Sequence, residues 1–305
     1  MPLDADLLLD RRRLKRRLSL WRALAVMAVA AAAVFLTWQP DVRAAITGSS
    51  GPHLARLSLQ GFIGDDRKLL EALERARRDA SVRGVILAVD SPGGSVAGGE
   101  GLHRALTRFA ADKPVVAVLG GTAASAGYMV AMPAGRIFAR EATVTGSIGV
   151  ILQNFEATEL MARLGVRAET VASGVFKDQP SPFRPLTEEG RAELNRVVMD
   201  LYDQFVDMVA TGRRMEVAQV RALADGRIFT GRQALSLGLI DAIGGEPEAR
   251  EWLAATHAIP ATLPVRDVET RSFTERTFGA VFGAFTKGLV NEWLGVDRVR
   301  ALWQP

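Results

Sequence analysis

Two runs, Val85–Val89 and Val115–Leu119, constrain this chain more than anything else in it. Both are apolar throughout, and glycine pairs follow them at Gly93-Gly94 and Gly120-Gly121. A strand without polar alternation is buried on both faces, as in a parallel sheet covered by helices. The flanking sequence agrees. Arg67–Ala80 puts Leu69, Leu70, Leu73 and Ala76 on one stripe with arginines opposite, and Gly101–Ala110 spaces Leu102, Leu106 and Phe109 for burial. Leu54–Leu59 reads as a first strand, and Ile137–Ala139 is a further apolar run. Beyond it a loop is expected over Thr143–Gly149, a helix near Phe155–Leu164 and a strand near Ala168–Val171. A long helix then covers Thr187–Thr211, after two proline-rich turns at Pro180, Pro182 and Pro185. The class is α/β, with right-handed crossovers between parallel strands.

A chain of 305 residues with 48% hydrophobic content can bury one large core, or one core and a smaller satellite. Its pI near 9.8 invites a nucleic-acid reading. The position of the charge argues against it, because residues 1–22 hold seven Lys/Arg against three Asp/Glu, leaving 31 of each elsewhere. The basic run Arg11–Arg17 precedes a charge-free stretch from Ala23 to Pro40, with Trp21 and Trp38 near its ends. Extended back to Leu18, that stretch suits a bilayer core of about 30 Å, with the basic flank on the cytoplasmic side. A cleaved signal peptide is the alternative, which Ala44-Ala45 would permit. Either way the body of the protein is exported. The absence of cysteine fits an exported chain without disulfides.

The expected organisation is a basic cytoplasmic tail (1–17), a transmembrane anchor (18–40), a tether (41–53), a catalytic domain (54–265) and an amphipathic C-terminal extension (266–305). In the last of these Phe278, Phe282, Phe285, Leu289 and Trp293 recur at three or four residues. That face is a core helix, a subunit contact or a surface against the membrane.

Chemistry concentrates after the two buried strands. Ser91-Pro-Gly-Gly94 is a turn whose glycines allow close backbone approach, and amides exposed there can face a developing oxyanion. Ser125 follows Gly120-Gly121 among Ala123, Ala124, Ala126 and Gly127, which leave room for a substrate backbone. In open α/β sheets such strand ends are where ligands gather. The bland alternative for Ser125 is a helix N-cap. A serine nucleophile needs a base, and none of the three histidines stands beside a serine in a catalytic motif. Arginine cannot serve, whereas a buried lysine can be neutral. Of the five lysines, Lys177 is the one in a Gly/Ser/Pro-rich segment after an expected strand, although a solvated charge paired with Asp178 would look the same.

Five blocks together carry a resemblance: Ser91–Gly94, Ala124–Tyr128, Thr145–Gly149, Ser173-Gly174 with Lys177-Asp178, and Arg227–Asp241. Over about Leu54 to Gly245 the chain resembles the short, single-copy form of the bacterial signal peptide peptidase family (SppA), with the blocks in that family's order. The resemblance implies a Clp-protease/crotonase-like fold and a Ser–Lys dyad without metal or cofactor. It makes Ser125 the nucleophile and Lys177 the general base and acid. Ser147 would orient the amine, and the amides of Gly94 and Ala126 would form the oxyanion hole. Alanine at 126 departs from the glycine common in the family, which touches only the oxyanion geometry. The resemblance also implies peptide substrates, remnant signal peptides among them, and a homo-oligomeric ring or dome. The family's short form suggests a dyad completed within one chain. The rivals are a membrane-anchored stomatin-cleaving serine protease, a crotonase-type acyl-CoA lyase or isomerase acting through carboxylates, and a non-enzymatic scaffold.

Overall fold

The computed structural model describes residues 51–268, together with short helical pieces at 17–18, 21–24 and 26–27. Most of the expected anchor and nearly all of the C-terminal extension lie outside the described residues. Among the described residues no helix is long and apolar enough to cross a membrane.

An eight-stranded sheet organises the body. Its first three strands are β1 (His53–Ile63), β2 (Val82–Gly94) and β3 (Val115–Ala124), separated by helices α1 (Arg67–Arg78) and α2 (Val96–Asp112). These strands pair in parallel with β2 central, and β8 (Val265–Asp267) adds in parallel to the outer side of β1. β3 is long enough to pair twice. Its first half, Val116–Leu119, takes β4 (Arg136–Ala139), and Thr122–Ala124 takes β5 (Val144–Gly146). β6 (Ile228–Thr230) closes that side by antiparallel pairing with β5, and β7 (Ala242–Ile243) pairs with β4.

Alternation along the strands shows why the apolar runs had to be continuous. Val85, Leu87 and Val89 of β2 enter the large core with Leu102, Leu106 and Phe109 of α2. Ile86 between them faces a second core with Leu54, Val116 and Phe138. That second core is covered by α8 (Glu246–His257) through Ala249 and Leu253. Both faces of the sheet are therefore covered, as the strand composition requires.

The remaining helices are α3 (Ala126–Met129), α4 (Thr158–Arg163), α5 (Glu188–Arg213), α6 (Val217–Leu223) and α7 (Gly231–Ser236). Expectation and structure part between residues 143 and 175. The loop expected at Thr143–Gly149 contains strand β5, short because only the last three residues of β3 are free to pair with it. The helix expected near Phe155–Leu164 is the six-residue α4, which buries no residue. The strand expected at Ala168–Val171 is absent: the segment is exposed, and none of the described strands pairs with it to supply hydrogen bonds.

Candidate active site

Ser125 sits where β3 gives way to α3, at φ 52° and ψ −123°. These are angles that an L-residue rarely adopts, costing on the order of 1–3 kcal/mol. The position is an N-cap, yet the serine hydroxyl makes no capping bond to the helix that follows. The bland alternative is thereby removed. A sharp strand-to-helix turn of this kind lifts a hydroxyl out at the end of a sheet. Three backbone bonds hold the strained residue, and a fourth closes the turn after it. Ser125 N–H donates to Gly146 O at 2.9 Å, and Ser125 O accepts from the amides of Tyr128 and Met129, both at 2.9 Å. Val130 N–H then reaches Ala126 O at 3.1 Å.

The Ser91–Gly94 turn comes up beside it. Ser91, fully buried, donates to Gly61 O at 2.6 Å and accepts from Gly93 N–H at 3.1 Å. Gly93 has φ +131°, and a Cβ there would stand 2.9 Å from Ser125 Cβ and 3.3 Å from its Oγ. Ser95 N–H donates to Ile63 O at 2.9 Å across the β1–β2 pair. Successive amides of a strand point to opposite sides, so Gly94 N–H faces the side of β3 and Ser125. Ala126 N–H, at the first helical position, has no intrahelical acceptor.

Ser147 is the second strained serine, at φ 50°. Its amide donates to Arg227 O at 2.8 Å. Ser125, Ser147, Gly93 and Gly94 line one cleft of about 600 Å³, walled by Phe62 of β1 and by Met199 and Tyr202 of α5. Asp225 is the one charged side chain among the described residues lining it. The hydrogen bonds of Arg227 to its side chain hold that carboxyl down at about 2. Ile151 and Val198 continue this cleft into a longer groove of about 800 Å³ between the 151–156 segment and α5.

Lys177 is not brought to this cleft within the chain. It lies exposed in a turn closed by its own N–H to Gly174 O at 3.1 Å. Among the described residues no hydrogen bond or ion pair reaches its amine. Nor does it pair with Asp178, the solvated alternative. Asp178 is held instead by Arg184, from Nε to the carboxylate at 2.9 Å and from the guanidinium to Asp178 O at 3.3 Å.

Sequence reasoning missed Asp90, Ser91 and Thr145 as builders of the site. Asp90 accepts from Thr122 N–H at 2.9 Å, tying the two glycine turns together. Thr145, fully buried, donates to Ala123 O at 2.7 Å and fixes β5 against the strand end that carries Ser125. Ser91 and Thr145 open quoted blocks and Asp90 immediately precedes one, which was the available signal.

The pattern defining Peptidase family S49 matches residues 107–259, a span containing Ser125, Ser147 and Lys177. The chain belongs to this family. It is a serine peptidase of the SppA type. The chain is similar to a candidate signal peptide peptidase, SppA, of Enterococcus faecium, at 36% identity over 84% of this chain and 78% of the relative. It is likewise similar to a candidate protease of Synechocystis sp., at 38% identity over 68% of this chain and 75% of that protein. The chloroplastic serine protease SPPA of Arabidopsis thaliana is 35% identical over 79% of this chain but only 35% of its own length.

Proposed function

We propose that this S49 peptidase is an endopeptidase for apolar peptides, using Ser125 as nucleophile and Lys177 as general base and acid. The observation that carries the reading is the uncapped, strained Ser125 at the floor of a cleft whose one charge is already neutralised by Arg227. Neutral Lys177 takes the Ser125 proton and Oγ attacks the scissile carbonyl. The tetrahedral oxyanion is received by the amides of Gly94 and Ala126. Lys177 then protonates the leaving amine and later activates water against the acyl-enzyme. Ser147 accepts from the lysine amine and orients it.

A lysine acts as a base only once it is desolvated. Lys177 is exposed, and the residues beside it display apolar side chains, Val175 at 79% and Phe176 at 46% exposure among them. We read this arm as the face of a second copy of the chain, with Lys177 of one copy completing the site of the next. This departs from the expectation of a dyad within one chain. A head-to-tail contact of this kind closes into a ring when the rotation between copies closes. The charge-free stretch from Ala23 to Pro40 and its basic flank support an inner-membrane anchor with the catalytic body on the exported side. Cleaved signal peptides are substrates of matching chemistry and location. A crotonase-type reaction needs working carboxylates, and the one in the cleft is held by Arg227.

The test is co-assembly of Ser125→Ala and Lys177→Ala chains, each inactive alone. Random mixing across a head-to-tail interface restores activity at about a quarter of the sites. No restoration would place the dyad within one chain. Fluorophosphonate labelling that maps to a residue other than Ser125 would sink the assignment itself.

A further inference from the structure

Beyond the Arg227–Asp225 pair, the Arg227–Asp241 block supplies no group to the chemistry just described, yet it bonds Ser147 directly and reaches Ser125 through Tyr128. At its start Arg227 O accepts from Ser147 N–H, and Gly226 N–H donates to Ile148 O at 3.2 Å. β6 follows at once, paired with β5 so that Phe229 stands opposite Thr145. At its far end Leu239 O accepts from the hydroxyl of Tyr128 at 2.6 Å. Tyr128 is fully buried, three residues after Ser125, and its own amide donates to Ser125 O. Burial pushes the phenol up, so it remains a donor.

The Leu239 end is itself clamped. Arg213, at the end of α5 with its side chain 7% exposed, donates to both carboxylate oxygens of Asp241 at 2.9 and 2.7 Å and to Gly238 O at 2.9 Å. Asp241 also accepts from Ile137 N–H of β4 at 2.7 Å. The turn that receives the Tyr128 hydroxyl is therefore fixed to α5 on one side and to the sheet on the other.

Resting on the assignment of Ser125 as nucleophile, we infer that Tyr128 is a positioning residue. The Arg213–Asp241 clamp, through Leu239 O and the Tyr128 hydroxyl, fixes the short helix whose first turn holds Ser125 at its strained angles. A helix of four residues, Ala126–Met129, cannot hold such a turn by its own bonds. Beyond the backbone bond from Ser125 N–H to Gly146 O, it is fixed by what its side chains grip, and Tyr128 has the one side-chain hydrogen bond on it among the described residues.

Tyr128→Phe in the full-length assembled protein keeps the ring and removes the grip. A nucleophile displaced by a fraction of an ångström lowers kcat by roughly ten- to a hundredfold with KM nearly unchanged. The rate of fluorophosphonate labelling at Ser125 falls by the same factor. Leu253→Ala is the control, since it weakens the second core on the opposite face of the sheet without touching Ser125. It lowers the melting temperature at wild-type kcat. A folded Tyr128→Phe with wild-type kcat and labelling rate overturns the inference. If Tyr128→Phe does not assemble, Arg213→Lys takes its place, and wild-type kcat in that folded variant overturns it equally. Ser125→Ala separates the two levels: labelling that persists there defeats the nucleophile assignment, whatever Tyr128→Phe does.

Discussion

Neighbouring glycines at 93 and 94 make a sharp test of how the site is built. Adding a methyl group at Gly93 meets two obstacles. Its φ of +131° strains any L-residue, at about 1–3 kcal/mol. The new Cβ would also lie 2.9 Å from Ser125 Cβ, closer than real Cβ contacts come. Ser125 cannot retreat freely, because its amide is tied to Gly146 O and its carbonyl to the amides of Tyr128 and Met129. Whatever relief the clash finds therefore comes at the cost of the nucleophile's position, and a shift approaching 1 Å costs about a hundredfold in rate. Stability suffers far less: 1–3 kcal/mol lowers Tm by several degrees for a domain of this size, at roughly 2–4 °C per kcal/mol. Gly94→Ala differs in kind, since its Cβ would fall 2.0 Å from Ile63 O, inside the β1–β2 pairing. It yields little folded protein. The assay is phosphonylation rate against thermal melting for both variants. A Gly93→Ala enzyme that labels at the wild-type rate would refute the packing of Gly93 against the nucleophile.

Three further outcomes are expected. Asp241→Asn leaves the nearly buried Arg213 without its counter-charge and destabilises the fold by about 3–5 kcal/mol, readable by urea denaturation; a change below 1 kcal/mol would show that the pair is dispensable. Lys177→Arg is inactive at every pH because arginine keeps its charge; measurable turnover by Lys177→Arg would exclude the lysine as base. Asp225 has a folded-state pKa lowered to about 2 by the hydrogen bonds of Arg227. Its stabilising contribution is present above the unfolded value of about 3.9 and fades as pH falls toward 2. Asp225→Asn flattens stability over that window, and an unchanged acid limb would count against the pair.

The sheet was legible because its physics is local to each strand. Val85–Val89 and Val115–Leu119 must be buried on both sides, and the two cores on either face of the sheet satisfy them. The serine was legible for a related reason: a strand end followed by small residues leaves space that a ligand can use. What failed to show were contacts between distant segments. Ser91, Thr145 and Tyr128 bond backbone carbonyls at Gly61, Ala123 and Leu239, and every residue type carries a carbonyl, so no pattern marks the acceptor. The expected strand at Ala168–Val171 failed for the converse reason. Its apolar residues are real, but a strand needs a partner edge, and none of the described strands pairs with it.

Lys177 joins these two lessons. Its turn is built with care: Lys177 N–H closes it onto Gly174 O, and Arg184 grips the next residue at both its carboxylate and its carbonyl. A solvated loop charge has no need of such a mount. Yet the mount holds the amine away from the Ser125 cleft, on an arm whose largest side chains are apolar and exposed. An ordered lysine on an uncovered apolar arm makes physical sense only if something covers the arm and desolvates the amine together. A second copy does both through one contact, because the surface it would bring includes the Ser125 cleft, with Phe62, Ile151 and Met199 exposed about its rim. On this argument assembly is what switches the base on. Dilution below the assembly threshold should therefore abolish labelling of Ser125 in chains that remain folded; dilute monomers that label at the assembled rate would show that Lys177 needs no partner.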